Sequence, residues 1–112
     1  MNALKNDNDK VRMELLPEMA LVEVAKVFTF GSKKYGDMNY MKGMEWSRLI
    51  GAVRRHTSAF LLREDNDPES GIPHLAHAVA GLLMLLEYQK RALGTDNRVL
   101  NKEKWDPFKE EN

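Results

Sequence analysis

The sequence contains no cysteine, and its charges cancel. None of the 112 residues carries a thiol, and 17 lysines and arginines balance 17 aspartates and glutamates. The absence of cysteine excludes a disulfide framework and every metal site built on thiolates. The zero net charge excludes an overall field that would attract nucleic acid or an anionic membrane. We therefore expect no nucleic-acid partner, and a charged ligand must be bound by a local cluster of side chains.

Long apolar runs are also scarce. The longest, residues 76–86, falls well short of the ~20 residues that a helix needs to cross a bilayer. The N-terminal residues are polar and lack the apolar segment of a signal peptide. We therefore predict a cytoplasmic protein without a membrane partner. Because domains usually contain ~100–150 residues, residues 1–112 are predicted to form a single domain.

The spacing of the apolar residues predicts helices and no strands. Pro17 suits the first position of a helix, and Gly31 suits a left-handed helix end. The three predicted helices span residues 17–31, 45–64 and 73–92. The expected fold class is therefore all-α, a small bundle of three to five helices.

The segments outside these helices are polar. Residues 1–13 are predicted to form a mobile arm, 31–43 an irregular loop and 95–112 a charged tail. The apolar residues of the tail that could dock onto a neighbouring surface are Val99, Leu100, Trp105 and Phe108.

The third predicted helix is apolar on nearly every side between Leu75 and Leu86. A protein this small cannot cover the whole circumference of such a helix within one subunit. We therefore predict that the bundle is completed by assembly into a homo-oligomer, either a dimer or a tetramer.

All three histidines lie close to an acidic connector between the second and third helices. His74 and His77 are three residues apart, which places them on one flank of a helix. Antiparallel packing of the two helices would bring His56 beside them. The connector carboxylates repel one another unless cations neutralise them, and oxygen ligands suit Mg²⁺ or Mn²⁺. The candidate metal ligands are Glu64, Asp67, Glu69, His74 and His77.

Each of these features taken alone has a structural explanation. A histidine on an apolar helical face is more often a hydrogen-bonded core residue, and an acidic turn is usually only solvated. An EF-hand calcium loop is excluded, because Ser70 stands where that loop requires glycine and Ala76 where it requires glutamate. The conjunction of histidines and carboxylates nevertheless favours a metal site.

A second group of candidate residues is basic and lies in or near the glycine-rich segment 31–43. Glycines let the backbone approach a phosphate, lysines supply charge, and aromatic rings can stack on a base. The segment lacks the GxxxxGK[ST] pattern of a P-loop, and alone it is typical of a turn-rich connection. The candidate substrate-binding residues are Lys33, Lys34, Tyr35, Asn39, Lys42, Trp46, Arg48 and Arg55.

The stretches TFGSKKYG, the Arg55-His56 pair and EDNDPESGIPHLAHA identify a resemblance. Over residues 10–87 the chain resembles the dATP/dGTP diphosphohydrolase N-terminal domain family, common in phage and prophage genomes. That family looks related to the all-α MazG-like pyrophosphohydrolases. The resemblance implies cleavage of dGTP or dATP between the α and β phosphates, giving a monophosphate and pyrophosphate. It also implies two or more Mg²⁺ or Mn²⁺ ions as cofactors.

The residues predicted to act in that reaction are His56, Glu64, Asp67 and His77. MazG-like enzymes carry an EExxE run and an ExxD run on helices, whereas this chain has no EExxE, and its ExxD falls in or beside a turn. The missing run leaves two alternatives open. One is a catalytically silent protein that binds or sequesters nucleotides, and the other is a helical adaptor whose third helix meets a partner.

Overall fold

The protein is all-α in the part that the structure describes. The computed structural model describes residues 3–6, 8–99, 101–104 and 106–109. Its helices are α1 (Glu18–Tyr35), α2 (Trp46–Leu61) and α3 (His74–Arg91), with short 3₁₀ helices at Met13–Leu15 and Asn39–Lys42. These residues contain no strand, only two isolated bridges. The predicted fold class is confirmed.

Helix α1 is longer than predicted. Gly31 lies inside it in helical conformation, and the helix ends at Gly36, which has a φ of 95° and donates its N–H to the carbonyl of Ser32 at 2.8 Å. The prediction that Gly31 ends the helix was therefore wrong. As a result Lys33 and Lys34 lie on the last turn of a helix, not in a loop.

Helix α2 is shorter than predicted, because it ends at Leu61 and not at Glu64. Two residues later Arg63 takes a left-handed backbone with a φ of 68°, which a right-handed helix cannot contain. The connector to α3 therefore begins earlier, and Glu64 lies within it.

Helix α3 occupies the centre of the fold and packs against both α1 and α2. It can approach α2 closely because the contact side carries small residues. A Cβ atom added to Gly81 would lie 2.9 Å from Cγ2 of Val53. Val24, Ile72, Ala76 and Ala80 form the buried cluster between α1, α3 and the end of the connector.

Several apolar residues outside the contacts between helices are exposed to solvent. In the tail, Val99 and Phe108 are almost fully exposed, while Leu100 and Trp105 lie outside the described residues. Residues 3–6 and 8–12 form neither helix nor strand. Within the described residues, every helix is too short or too polar to span a bilayer.

Candidate functional site

The connector between α2 and α3 is a tight loop closed by its own backbone. The N–H of Asp67 donates to the carbonyl of Ile72 at 2.9 Å, and the N–H of Gly71 donates back to the carbonyl of Asp67 at 2.7 Å. The N–H of His74 donates to the carbonyl of Asp65 at 2.9 Å. His56 contacts His74 and Val53 lies beside Gly81, so α2 and α3 lie antiparallel as predicted.

The three histidines meet at this corner of the fold. His56 comes from α2, whereas His74 and His77 come from the first turn of α3. The Nδ1 atoms of His56 and His74 are 2.8 Å apart. The ring of His77 stacks on the ring of His56 with 4.6 Å between centroids and 8° between planes. The prediction that His56 lies beside the start of α3 is confirmed.

One carboxylate of the connector joins the histidines. His56, Asp67 and His74 each offer one ligand atom, and these three atoms lie within 4.8 Å of one another. The Oδ1 atom of Asp67 accepts the N–H groups of Glu69 at 2.9 Å and Ser70 at 3.0 Å, which fixes the direction of the carboxylate. We call these three side chains the His-Asp cluster.

A second carboxylate contacts the cluster from outside. The Oε1 atom of Glu64 lies 2.7 Å from Nε2 of His74, a buried histidine. Because an ionised carboxylate only accepts hydrogen bonds, Nε2 of a neutral His74 carries the proton and its Nδ1 carries a lone pair. Glu64 thereby sets which nitrogen of His74 faces His56.

The surroundings favour different charge states for Asp67 and for the histidines. Burial lowers the pKa of His56, and the positive charges that His77 and His74 can carry lower it further. Burial also lowers the pKa of His77. Burial opposes the ionisation of Asp67, but the two backbone N–H donors and the nearby histidines outweigh it and lower the pKa. These directions favour the neutral imidazoles of His56 and His77 and the ionised carboxylate of Asp67 near neutral pH.

A cleft of about 860 Å³ opens beside the histidines, between the C-terminal half of α1 and the segment that follows it. This volume is in the range of about 300–1,000 Å³ that small-molecule sites occupy. His56 and His77 form part of its wall, and the ring of Phe28 meets the ring of Tyr40 edge to face at 5.4 Å. The remaining apolar lining includes Val27, Met44 and Met84.

One lysine of the predicted phosphate-binding segment stands at this cleft. Lys34 lines the cleft, and its Nζ donates to Oε1 of Glu69 at 2.6 Å. The hydrogen bond that Lys34 donates to Glu69 raises the pKa of Lys34, so the ammonium group stays charged. The same contact engages Glu69, a predicted metal ligand, away from the His-Asp cluster.

The structure brings only some of the predicted substrate-binding residues together. Lys34, Tyr35 and Asn39 line the cleft with His56 and His77. Trp46 lines a different cleft, and its Nε1 donates to the carbonyl of Leu93 at 2.9 Å. Four further predicted residues are exposed and line neither cleft, namely Lys33, Lys42, Arg48 and Arg55.

The predicted metal ligands also separate into two groups. Asp67 and His74 belong to the His-Asp cluster, which includes His56 in addition. Glu64 contacts His74, Glu69 contacts Lys34, and Nε2 of His77 lies 2.7 Å from Oγ of Ser70.

Sequence reasoning missed Ser70 as a contributor to the site. Its Oγ contacts His77 and also accepts the N–H of Ile72 at 3.1 Å. The Asp67-to-Ser70 spacing, typical of a side-chain-capped turn, is the signal that could have identified it.

The His-Asp cluster fits one of the two expected ions better than the other. It offers two imidazole nitrogens and one carboxylate oxygen. Mg²⁺ is bound almost wholly by oxygen atoms, whereas imidazole and carboxylate together suit Mn²⁺ and later transition metals. The donor set is therefore compatible with Mn²⁺ and unfavourable for Mg²⁺.

Fold and site together define a class: a small all-α protein in which two histidines of an interhelical corner line a ligand-sized cleft and a histidine–aspartate cluster lies at the same corner. The family model described as "dATP/dGTP diphosphohydrolase, N-terminal" matches residues 2–98. The chain belongs to this family, and the match includes the whole of the cleft and the corner.

A curated relative carries the same activity in its name as the family does. The chain is 34% identical over 98 residues to a protein of Salmonella phage PMBT28 named dATP/dGTP diphosphohydrolase. The aligned region covers 88% of this chain and 33% of that protein, so the chain spans about one third of its relative's length. No solved structure shows significant similarity to the chain.

Proposed function

We propose that this chain carries the hydrolytic site of a dATP/dGTP diphosphohydrolase and converts dGTP and dATP to the monophosphate and pyrophosphate with a divalent metal ion. The observation that carries the proposal is the meeting of three histidines and Asp67 at one corner, where His56 and His77 line a cleft of about 860 Å³. The name of the phage relative supplies the substrate class.

The cleft offers different surfaces to the two ends of a nucleotide. Phe28 and Tyr40 present aromatic surface, which suits the flat face of a purine. Lys34 supplies a fixed positive charge for the triphosphate. Because Lys34 is paired with Glu69, a bound phosphate would have to draw it away from that partner.

We assign the acid and base chemistry to His77. It borders the cleft, lies outside the His-Asp cluster and is held by Ser70. A neutral imidazole can accept the proton of an attacking water. A metal ion bound by the cluster would neutralise phosphate oxygens and lower the pKa of a bound water.

The proposed assembly uses the exposed side of α3. Leu75, Val79, Leu82, Leu83 and Leu86 recur at helical spacing on one side of the helix, and each is between 43% and 52% exposed. We call these five residues the α3 stripe. A second copy of the chain would cover it, because two stripes are self-complementary about a twofold axis.

The activity is tested by incubating the chain with each of the four deoxynucleoside triphosphates and Mn²⁺ or Mg²⁺, then separating the products. We expect monophosphate and pyrophosphate from dGTP and dATP. His77→Gln should lower kcat by about 10²–10⁴-fold. The matched control is Lys90→Gln, an exposed position on the same helix, which should leave kcat unchanged.

Two results would contradict the proposal. Triphosphate binding without product under every condition would indicate the silent nucleotide-binding alternative. Turnover by His77→Gln at the unmodified rate would remove His77 from the reaction.

A further inference from the structure

We propose that the His-Asp cluster is a transition-metal site, selective for ions such as Mn²⁺, Co²⁺ or Zn²⁺ over Mg²⁺, and that Glu64 orients His74 within it without binding the ion. The role of this ion in hydrolysis rests on the proposed function, whereas its binding does not. This site has two imidazoles and one carboxylate, whereas the set predicted from the sequence contained three carboxylates and two histidines, namely Glu64, Asp67, Glu69, His74 and His77.

The two imidazoles are held close together. Their Nδ1 atoms, one from α2 and one from α3, form a hydrogen bond of 2.8 Å, and an ion bound between them would displace its proton. Bonds from histidine nitrogen to zinc are ~2.0–2.1 Å long, so two nitrogens on one such ion lie about 2.9 Å apart at a right angle and about 3.3 Å apart at the tetrahedral angle. The backbone of the corner already holds His56 and His74 at nearly the separation of neighbouring ligands.

Glu64 fixes the tautomer of His74. Glu64 accepts a hydrogen bond from Nε2, which leaves the Nδ1 lone pair of His74 directed at the cluster. A carboxylate on the far nitrogen of a metal-binding histidine fixes its orientation and raises its basicity. Since His74 is 4% exposed and Glu64 is largely in solvent, this contact organises a buried ligand from the surface.

Asp67 is held in one orientation by the backbone of the connector. Its Oδ1 accepts two backbone N–H groups, so the carboxylate is anchored through one oxygen. Within the described residues, no protein donor occupies Oδ2. An anchored carboxylate beside two imidazoles is the donor set that manganese, iron and zinc sites share.

The selectivity follows from the donor types. Affinity for nitrogen donors rises along the first transition series from Mn²⁺ to Cu²⁺, and imidazole suits these ions. Mg²⁺ binds oxygen and releases its water reluctantly. Two neutral nitrogens and a single carboxylate therefore favour the transition ions.

The test measures metal binding alone on the full chain after removal of metal by a chelator. Isothermal titration with Mn²⁺, Zn²⁺ and Mg²⁺ gives the affinities, and the visible absorption of bound Co²⁺ reports nitrogen ligation. We expect binding of the transition ions and far weaker binding of Mg²⁺. Asp67→Asn and His56→Gln should weaken Mn²⁺ binding at least tenfold, and Glu64→Gln by about 10–100-fold.

The matched control is Glu69→Gln, a connector carboxylate that contacts Lys34 and not the cluster. Its Mn²⁺ affinity should equal that of the unmodified chain. Circular dichroism of each variant checks that the helices persist, and Glu64 is exposed enough that its substitution should not prevent folding.

The possible outcomes distinguish failure of the transition-metal site from failure of the proposed hydrolysis. Mg²⁺ binding as tight as Mn²⁺ binding, or equal losses from Glu69→Gln and Asp67→Asn, would overturn the transition-metal site. Tight Mn²⁺ binding that depends on Glu64, in a chain that hydrolyses no nucleotide, would support the site while contradicting the proposed hydrolysis.

Discussion

At the scale of single residues, Tyr88 links the core to the wall of the cleft. It is fully buried on α3, and its hydroxyl donates to the carbonyl of Tyr40 at 2.5 Å. Tyr40 in turn contacts Phe28, and both residues line the cleft. A buried phenol therefore holds the segment after α1 in the position that shapes the candidate nucleotide site.

The titration of this phenol should be visible in stability. Burial, and to a smaller degree the charge of Tyr40, raise the pKa of Tyr88 above its ordinary value of 10.0. A raised pKa in the folded state means that Tyr88 contributes its full stability below pH 10 and loses it as the pH rises further. We expect the free energy of unfolding to fall more steeply above pH 10 in the unmodified chain than in Tyr88→Phe.

Urea unfolding between neutral pH and about pH 11 measures both effects. Near neutral pH, Tyr88→Phe should be less stable by about 1 kcal/mol, because one hydrogen bond is lost. The carbonyl of Tyr40 keeps the N–H of Gly43 as a second donor, which limits the cost. If the two stability curves ran parallel above pH 10, Tyr88 would not be the group that titrates.

At the scale of elements, the sequence was sufficient to predict three helices and the meeting of the histidines. Proline at the helix starts and the spacing of apolar residues indicate the helices locally. The short connector brings α2 and α3 together, and with them the histidines. The end of α1 was mispredicted because glycine occurs both inside helices and at their ends. Packing of Phe28 and Phe30 against the core, which local sequence does not reveal, accompanies continuation of the helix past Gly31.

The same reasoning explains what could be predicted of the candidate site. The acidic connector and the histidines are close in sequence, so their convergence could be predicted. The partner of each carboxylate could not be predicted, because side chains that are neighbours in a tight loop point in different directions. Asp67 turns inward through backbone N–H groups, while Glu69 reaches Lys34 from a distant part of the chain.

Substitution by alanine should have opposite effects on stability at the two glycines near the end of α1. A Cβ at Gly31 meets no atom within 4 Å, and the residue is helical, so Gly31→Ala should stabilise the fold by about 0.5–1 kcal/mol. Gly36 has a φ of 95°, so Gly36→Ala should destabilise it. Thermal unfolding of both variants measures the contrast. A destabilised Gly31→Ala would show that the helix ends at Gly31 after all.

At the scale of the whole molecule, the chain exposes more surface than a compact monomer. Its accessible surface is 9847 Å², whereas a compact protein of 12.9 kDa exposes about 6,300 Å². Residues 3–6 and 8–12, which form neither helix nor strand, contribute to the difference. The α3 stripe contributes apolar surface, and contiguous exposed apolar patches mark interaction surfaces.

If a second copy covers the stripe, one charge at its centre should abolish assembly. Val79→Lys places an ammonium group between Leu75, Leu82 and Leu83, and burying it unpaired costs more than an apolar contact gains. Sedimentation at several concentrations should show a dimer or tetramer for the unmodified chain and a monomer for Val79→Lys. Met19→Lys, an equally drastic change at an exposed apolar residue of α1, is the control and should still assemble. A monomeric unmodified chain, or equal dissociation of both variants, would mean that two stripes do not meet.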